Sequence, residues 1–204
     1  PSPSPRRGSS AGAPDRNGTE VDERRSLRVA IERGDELVLQ GAIVELTREW
    51  TLASLSHRFV YGADYSSSRE RSLRNGTVPP VGESFPVRAF PITDYELTGV
   101  FLQDEITLLD GRLTLFPALR WDSFEIEPRR DPLFTAAVPA PQSDSRLSPK
   151  LGVVARVGSR VSLFANAAGG FKAPASYQVN NGFANPVSNY ISVSNPGLQP
   201  ETSE

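Results

Sequence analysis

TGVFLQDEITLLDGRLTLFPALRWDSFEIEP, residues 98–128, places two alternating runs on either side of Asp110-Gly111. In the second run Leu113, Leu115, Leu119 and Trp121 alternate with Arg112, Thr114, Arg120 and Asp122. That period of two puts one set on each face of a β-strand. Asp-Gly between two such runs is a hairpin turn signal. The arms run from Tyr95 to Leu109 and from Gly111 to Pro128, each about 15 residues or more, where soluble strands average roughly 5 to 6. Pro117 sits inside the second arm, which argues against a densely paired central strand of a soluble sheet.

The same grammar extends outward. His57, Phe59, Tyr61, Ala63 and Tyr65 alternate with Arg58, Val60, Gly62, Asp64 and Ser66. Leu151, Val153, Ala155 and Val157, then Val161, Leu163, Ala165 and Ala167, flank a short turn at Gly158-Ser159. Upstream, Leu27, Val29 and Ile31, then Leu37 and Leu39, flank Arg33-Gly34-Asp35. Gly-Asp between alternating runs is read as a turn, not as an adhesion signal. Long irregular stretches fall at 69–90, 129–147 and 172–198, so short and long connections alternate. A membrane barrel has that sidedness, with short periplasmic turns and long outer loops. The expected fold is therefore all-β: an antiparallel up-and-down transmembrane β-barrel segment of about seven or eight long strands forming an open curved sheet. Phe59, Tyr61, Tyr65, Trp121 and Phe171 are expected at interfacial girdles, and Arg58, Arg112, Arg120 and Arg156 on the lumen side.

Composition removes several chemistries. The 204 residues carry 22 Lys+Arg against 24 Asp+Glu, a net charge of -2, without the basic field of a nucleic-acid binder. With no Cys and a single His, His57, thiolate sites, disulfides and multi-histidine metal centres are excluded within the chain. No run approaches the roughly 20 apolar residues of a membrane helix. There is no G-x-S-x-G elbow and no phosphate loop around Gly169-Gly170-Phe171-Lys172, so no catalytic residue is expected, and no metal site or resident cofactor. His57 is read as a polar interfacial residue, and the Asn-Gly-Thr triplets at Asn17 and Asn75 as loop turns. Residues 1–19 are expected to be a disordered or loop segment, and 20–204 one partial barrel domain.

Three stretches, in order, resemble the barrel of TonB-dependent outer-membrane receptors. They are the 98–128 hairpin with its Gln103-Asp104-Glu105, SRLSPKLGVVARVGSRVSLFANAAGGFKAP at 145–174, and NPGLQPETSE at 195–204. With HRFVYGADYS at 57–66 the resemblance covers about residues 50–204. The pairing of Phe171-Lys172-Ala173-Pro174 with Asn195-Pro196-Gly197-Leu198, and Asp131-Pro132-Leu133-Phe134, is similar to boxes of the haem and haemoglobin receptors of that superfamily.

This resemblance implies an outer-membrane location in a Gram-negative bacterium and no enzymatic activity. It implies uptake of haem or a ferric siderophore, with TonB acting through a plug domain that this stretch lacks along with C-terminal strands. Lipid is the surrounding partner and nucleic acid is not one. Phe171, Lys172, Ala173, Pro174, Tyr177, Tyr190, Asn195, Pro196 and Leu198 become ligand-loop candidates, and Gln103, Glu105 and Arg120 plug-facing candidates. The loop between the two boxes carries no His; Tyr177 and Tyr190 are its possible oxygen ligands for a haem iron. Two other architectures remain open: a soluble β-sandwich or small-barrel binding module with one closed core, and a passive membrane barrel whose first and last strands pair.

Overall fold

The computed structural model describes residues 22–33, 37–52, 55–79 and 84–204. The expected disordered segment 1–19, Asn17 within it, and Gly34-Asp35 lie outside the described residues. Seven strands follow in order: β1 (Asp22–Arg33), β2 (Leu37–Leu52), β3 (Leu55–Glu70), β4 (Thr93–Leu108), β5 (Leu113–Pro128), β6 (Gln142–Val157) and β7 (Val161–Ala168). Each pairs antiparallel with the next, giving one sheet in the order β1 to β7. Past an interruption at Gly169, β8 (Gly170–Lys172) continues β7. A short helix α1 (Ser176–Val179), the hairpin β9 (Phe183–Asn185) and β10 (Tyr190–Ser192), and β11 (Glu201–Ser203) complete the order. β11 pairs with β8.

Strands β2 to β6 are each 16 residues long, roughly 50 Å at about 3.3 Å per residue. The short connections that follow β2, β4 and β6 stand at one end, and the three long ones, 71–92, 129–141 and 173–200, at the other, where β1 also passes into β2. At the turn end Leu109, Asp110 and Gly111 all take positive φ of 52°, 53° and 81°. The middle connection is shorter than the expected 129–147, because Gln142–Leu147 joins β6. Up to Arg146 both faces of that segment are polar, so alternation gives no cue, yet its backbone pairs in register with Trp121–Ile126 of β5.

The register shows which residues share a face, since directly opposed residues of antiparallel strands point the same way. One face collects Leu27 and Val29; Val44 and Leu46; Phe59 and Tyr61; Val100 and Leu102; Leu119 and Trp121; Leu147 and Leu151; Leu163 and Ala165. The other collects Arg58, Asp64, Gln103, Glu105, Arg120, Asp122, Arg146, Lys150 and Asn166. Leu39 departs from the pattern, falling opposite Ser68 on the polar face near the loop end.

The apolar face is open: Leu27 is 67% exposed, Val29 65% and Leu163 60%. Among the described residues no second sheet covers it, which overturns the sandwich, whose apolar faces would point at each other. Among the described residues the ring does not close either, since β1 and β7 are the sheet's two edges. A contiguous apolar surface of this size needs an apolar medium or partner. On β1 and β2 the band centres near Val29 and Val44, but on β6 and β7 it lies toward Val153 and Leu163, several register rows closer to the turn end. Such a diagonal is what strands tilted against a flat apolar layer require.

Pro117 lies in a central strand after all. The β4–β5 register passes from Gln103↔Ala118 to Ile106↔Leu115, leaving Phe116 and Pro117 outside the ladder on that side. Opposite this gap the carboxylate of Asp104 turns to the His57 imidazole, with Nδ1 and Oδ2 2.7 Å apart.

Toward the loop end the polarity of the two faces exchanges. The apolar face turns acidic at Asp94, Glu96, Glu125 and Glu127, while the polar face turns apolar at Tyr95, Phe124 and Ile126. Phe124 and Ile126 are at most 1% exposed. They form the sheet's contribution to the one compact core among the described residues, and the long loops form the rest.

Candidate functional site: a loop cap over the polar face

The segment after β8 folds back onto the sheet instead of standing free. Val179, the last residue of α1, is fully buried against Phe124 and Ile126, with Tyr95, Phe171 and Ala173 packed around them. Burying a valine of this kind contributes roughly 1.5–3 kcal/mol, enough to hold a loop in one place. Phe171, expected in an interfacial girdle, is instead tilted against Phe124 with ring centroids 6.1 Å apart. The interruption at Gly169, whose N–H reaches the Pro149 carbonyl at 2.8 Å, frees the chain to make that change of side.

Polar contacts then tie the three long loops into one body. Ser176 Oγ donates to the Glu70 carboxylate at the end of β3. Asn180, 1% exposed, acts as a clamp: its Nδ2 donates to the Ala140 carbonyl at 2.9 Å and its Oδ1 accepts from the Ala140 N–H at 2.8 Å. Gly182 is where all three loops meet. Its N–H donates to the Ala89 carbonyl at 2.8 Å, and a Cβ there would stand 2.1 Å from Ala136 Cβ and 3.0 Å from the Phe134 ring. Arg88 joins the first loop to the second, through its N–H to the Leu133 carbonyl at 2.9 Å and a largely buried ion pair with Asp131 at 2.5 Å. The Arg74 guanidinium lies over the Phe183 ring, 4.4 Å from its centroid.

The expected ligand-loop residues divide into two groups. Phe171, Ala173 and Pro174 are packing residues of the cap. Asn195 donates its N–H to the Val179 carbonyl at 2.9 Å, and Leu198 donates to the Asn195 carbonyl at 3.1 Å, so this stretch closes the loop. Lys172 pairs with Glu201 in the open at 3.1 Å, and Pro196 is exposed. Tyr177 and Tyr190 are the aromatic side chains the cap presents, 49% and 54% exposed, each tilted against a phenylalanine, Phe90 and Phe183 respectively. The two tyrosines sit on different elements, α1 and β10. Among the described residues no cluster of three or more His, Cys, Asp or Glu side chains is placed to hold a metal ion. His57 lies near the turn end, far along β3 from the cap.

Gln103, Glu105 and Arg120 all fall on the polar face below the cap. Arg120 is the centre of a network: its guanidinium makes bonds of 2.9 and 3.0 Å to Asp64 and 2.7 Å to Asp122. Arg58 stands between Glu49 at 3.4 Å and Glu105 at 3.6 Å. At the loop end, above the apolar band, Asp94 accepts from Arg69 at 2.6 Å and from Arg129 at 2.7 Å. Burial alone would raise the Asp94 carboxyl, but the hydrogen bonds and charges of the two arginines outweigh it and hold the carboxyl below its ordinary range.

Sequence reading missed Val179, Asn180, Gly182, Arg88 and Asp131. A signal was present for their docking site: alternation slips phase between Trp121 and Phe124, moving large apolar residues to the opposite face.

A family model described as TonB dependent receptor-like, beta-barrel matches residues 6–204. No curated protein matches the chain. Among solved structures, the chain is similar to the Serratia marcescens hemophore receptor HasR, determined as a double mutant in complex with its hemophore HasA and heme. The TM-score is 0.59 at 18% identity, over 90% of this chain and 35% of that one. The chain thus spans about a third of the length of that receptor, and the likeness concerns the fold.

Proposed function

The chain belongs to the TonB-dependent receptor-like β-barrel family, and on that premise we propose that it is barrel wall and loop cap of a receptor for an iron complex. The family is one of receptors and transporters of the Gram-negative outer membrane, not of enzymes. In this reading the apolar face meets outer-membrane lipid, the polar face lines the lumen, and the cap faces outside. Gln103, Glu105 and Arg120 face the plug domain through which TonB acts. The ligand is haem or a ferric siderophore, and Tyr177 and Tyr190 are the side chains the cap offers to it.

One observation carries the reading: a sheet with an exposed apolar face whose long loops all lie at one end, folded into a single body over the polar face. A cap of that kind presents a preformed recognition surface on a rigid scaffold, which is how loops usually carry specificity. The hemophore and heme bound to the structurally similar receptor are consistent with an iron complex as ligand.

The test is uptake. A strain lacking the intact protein, grown under iron limitation, is expected to lose growth on one iron source, haem or a ferric siderophore, and to regain it only with the protein and an active TonB system. Unchanged growth on both classes of iron source, together with no binding of either by the purified intact protein, rejects the reading.

A further inference from the structure

We propose that the apolar face carries a phospholipid headgroup site at Arg48, near the turn end of β2; this rests on the membrane reading above. Arg48 is a cation at the turn-end margin of the face given to lipid, a margin that also carries Arg25 and the His57–Asp104 pair. The register places it on the same side as Leu46 and Phe59, and its side chain is exposed. With Trp50, Phe59 and Tyr61 it lines a shallow cleft of about 410 Å³.

The cleft floor is held in place by its neighbours. Asp104 holds His57 at 2.7 Å. The His57 ring lies parallel to Trp50, centroids 5.5 Å apart and 5° between planes. Trp50 meets Phe59 edge-on at 5.8 Å, and Phe59 meets Tyr61 at 5.5 Å. A charge in an apolar layer needs an anion or a route to the interface. Aromatic rings gather at that interface, and a guanidinium binds phosphate through two parallel hydrogen bonds.

Arg48 lies four residues from the Leu52 end of β2, on the side of the short turns, which is the periplasmic side in such barrels. The occupant is therefore a glycerophospholipid of the inner leaflet. Its phosphate meets Arg48, and its acyl chains run past Tyr61 and Leu46 toward Val44.

The experiment is native mass spectrometry of the intact protein extracted from membranes in mild detergent, counting phosphatidylethanolamine and phosphatidylglycerol retained as activation is raised. Wild type is expected to keep one phospholipid after the others are stripped. Arg48→Ala should lower that occupancy about tenfold, and Arg48→Lys should restore part of it. Arg58→Ala on the opposite face should leave it unchanged. Equal retention by wild type and Arg48→Ala overturns the proposal. So does a polypeptide in place of the lipid. Failure of the wild-type protein to float with lipid vesicles would instead reject the membrane reading itself.

Discussion

Arg120 on β5 reaches across the whole width of β4 to Asp64 on β3, meeting it with two hydrogen bonds of 2.9 and 3.0 Å. The path is open because the residue it crosses is Gly99: a Cβ there would lie 2.2 Å from Arg120 Nη2 and 2.7 Å from Asp64 Oδ2. Three strands are thereby joined by side chains as well as by backbone.

Gly99→Val should break this bridge, and Arg120→Ala should leave two carboxylates facing each other without their cation. Each is expected to cost about 1–3 kcal/mol. Thermal unfolding in detergent measures the loss, and the double variant should cost less than the sum because both act on one network.

Asn180→Ala should free the 129–141 loop from the 173–182 segment while leaving the strands intact. Hydrogen exchange is expected to rise at Ala140 and around α1, with loss of about 1–3 kcal/mol of local protection for the two lost hydrogen bonds. Unchanged protection at Ala140 would show that the clamp does not hold the loops together.

Gly182→Leu forces a side chain into the space held by Ala136 and Phe134. Ligand binding by the intact protein should weaken about tenfold or more, while the melting of the barrel shifts little, because the contact is confined to the cap.

The folded Asp94 carboxyl titrates below its unfolded counterpart. Its contribution to stability is therefore fully present above the unfolded value, roughly pH 4, and is lost as pH falls through the folded one. Melting temperature followed from pH 7 down to pH 3 should decline more steeply in wild type than in Asp94→Asn, which removes that titration.

Leu102 and Gln103 are adjacent but face opposite sides of β4. Leu102→Arg puts a charge toward lipid and should cost about 2–4 kcal/mol near the bilayer midplane, whereas Gln103→Arg should be nearly neutral. The yield of heat-resistant folded protein in outer membranes separates the two.

Much of the architecture was legible in the chain. The alternating runs around Asp110-Gly111 and Gly158-Ser159 gave the hairpins. The long connections at every second position gave the sidedness, and the boxes at 171–174 and 195–198 gave the resemblance. Gln142–Arg146 escaped as strand because neither of its faces carries an apolar residue. Phe171 leaves its expected girdle position because the chain breaks its alternation at Gly169 and packs the ring against Phe124. The cap escaped because its contacts join Glu70, Arg88, Asn180 and Gly182 across wide gaps in sequence, where no periodicity connects them.

What the sequence determined by itself is the face each strand residue occupies, since a period of two follows from backbone geometry alone and needs no partner. Which face is covered, and by what, was decided only in three dimensions. The exchange of polarity at Phe124 and Ile126 acquires meaning once Val179 arrives from 53 residues beyond Ile126 to bury them. Burial depends on what packs against a side chain, and a local pattern does not specify a distant neighbour.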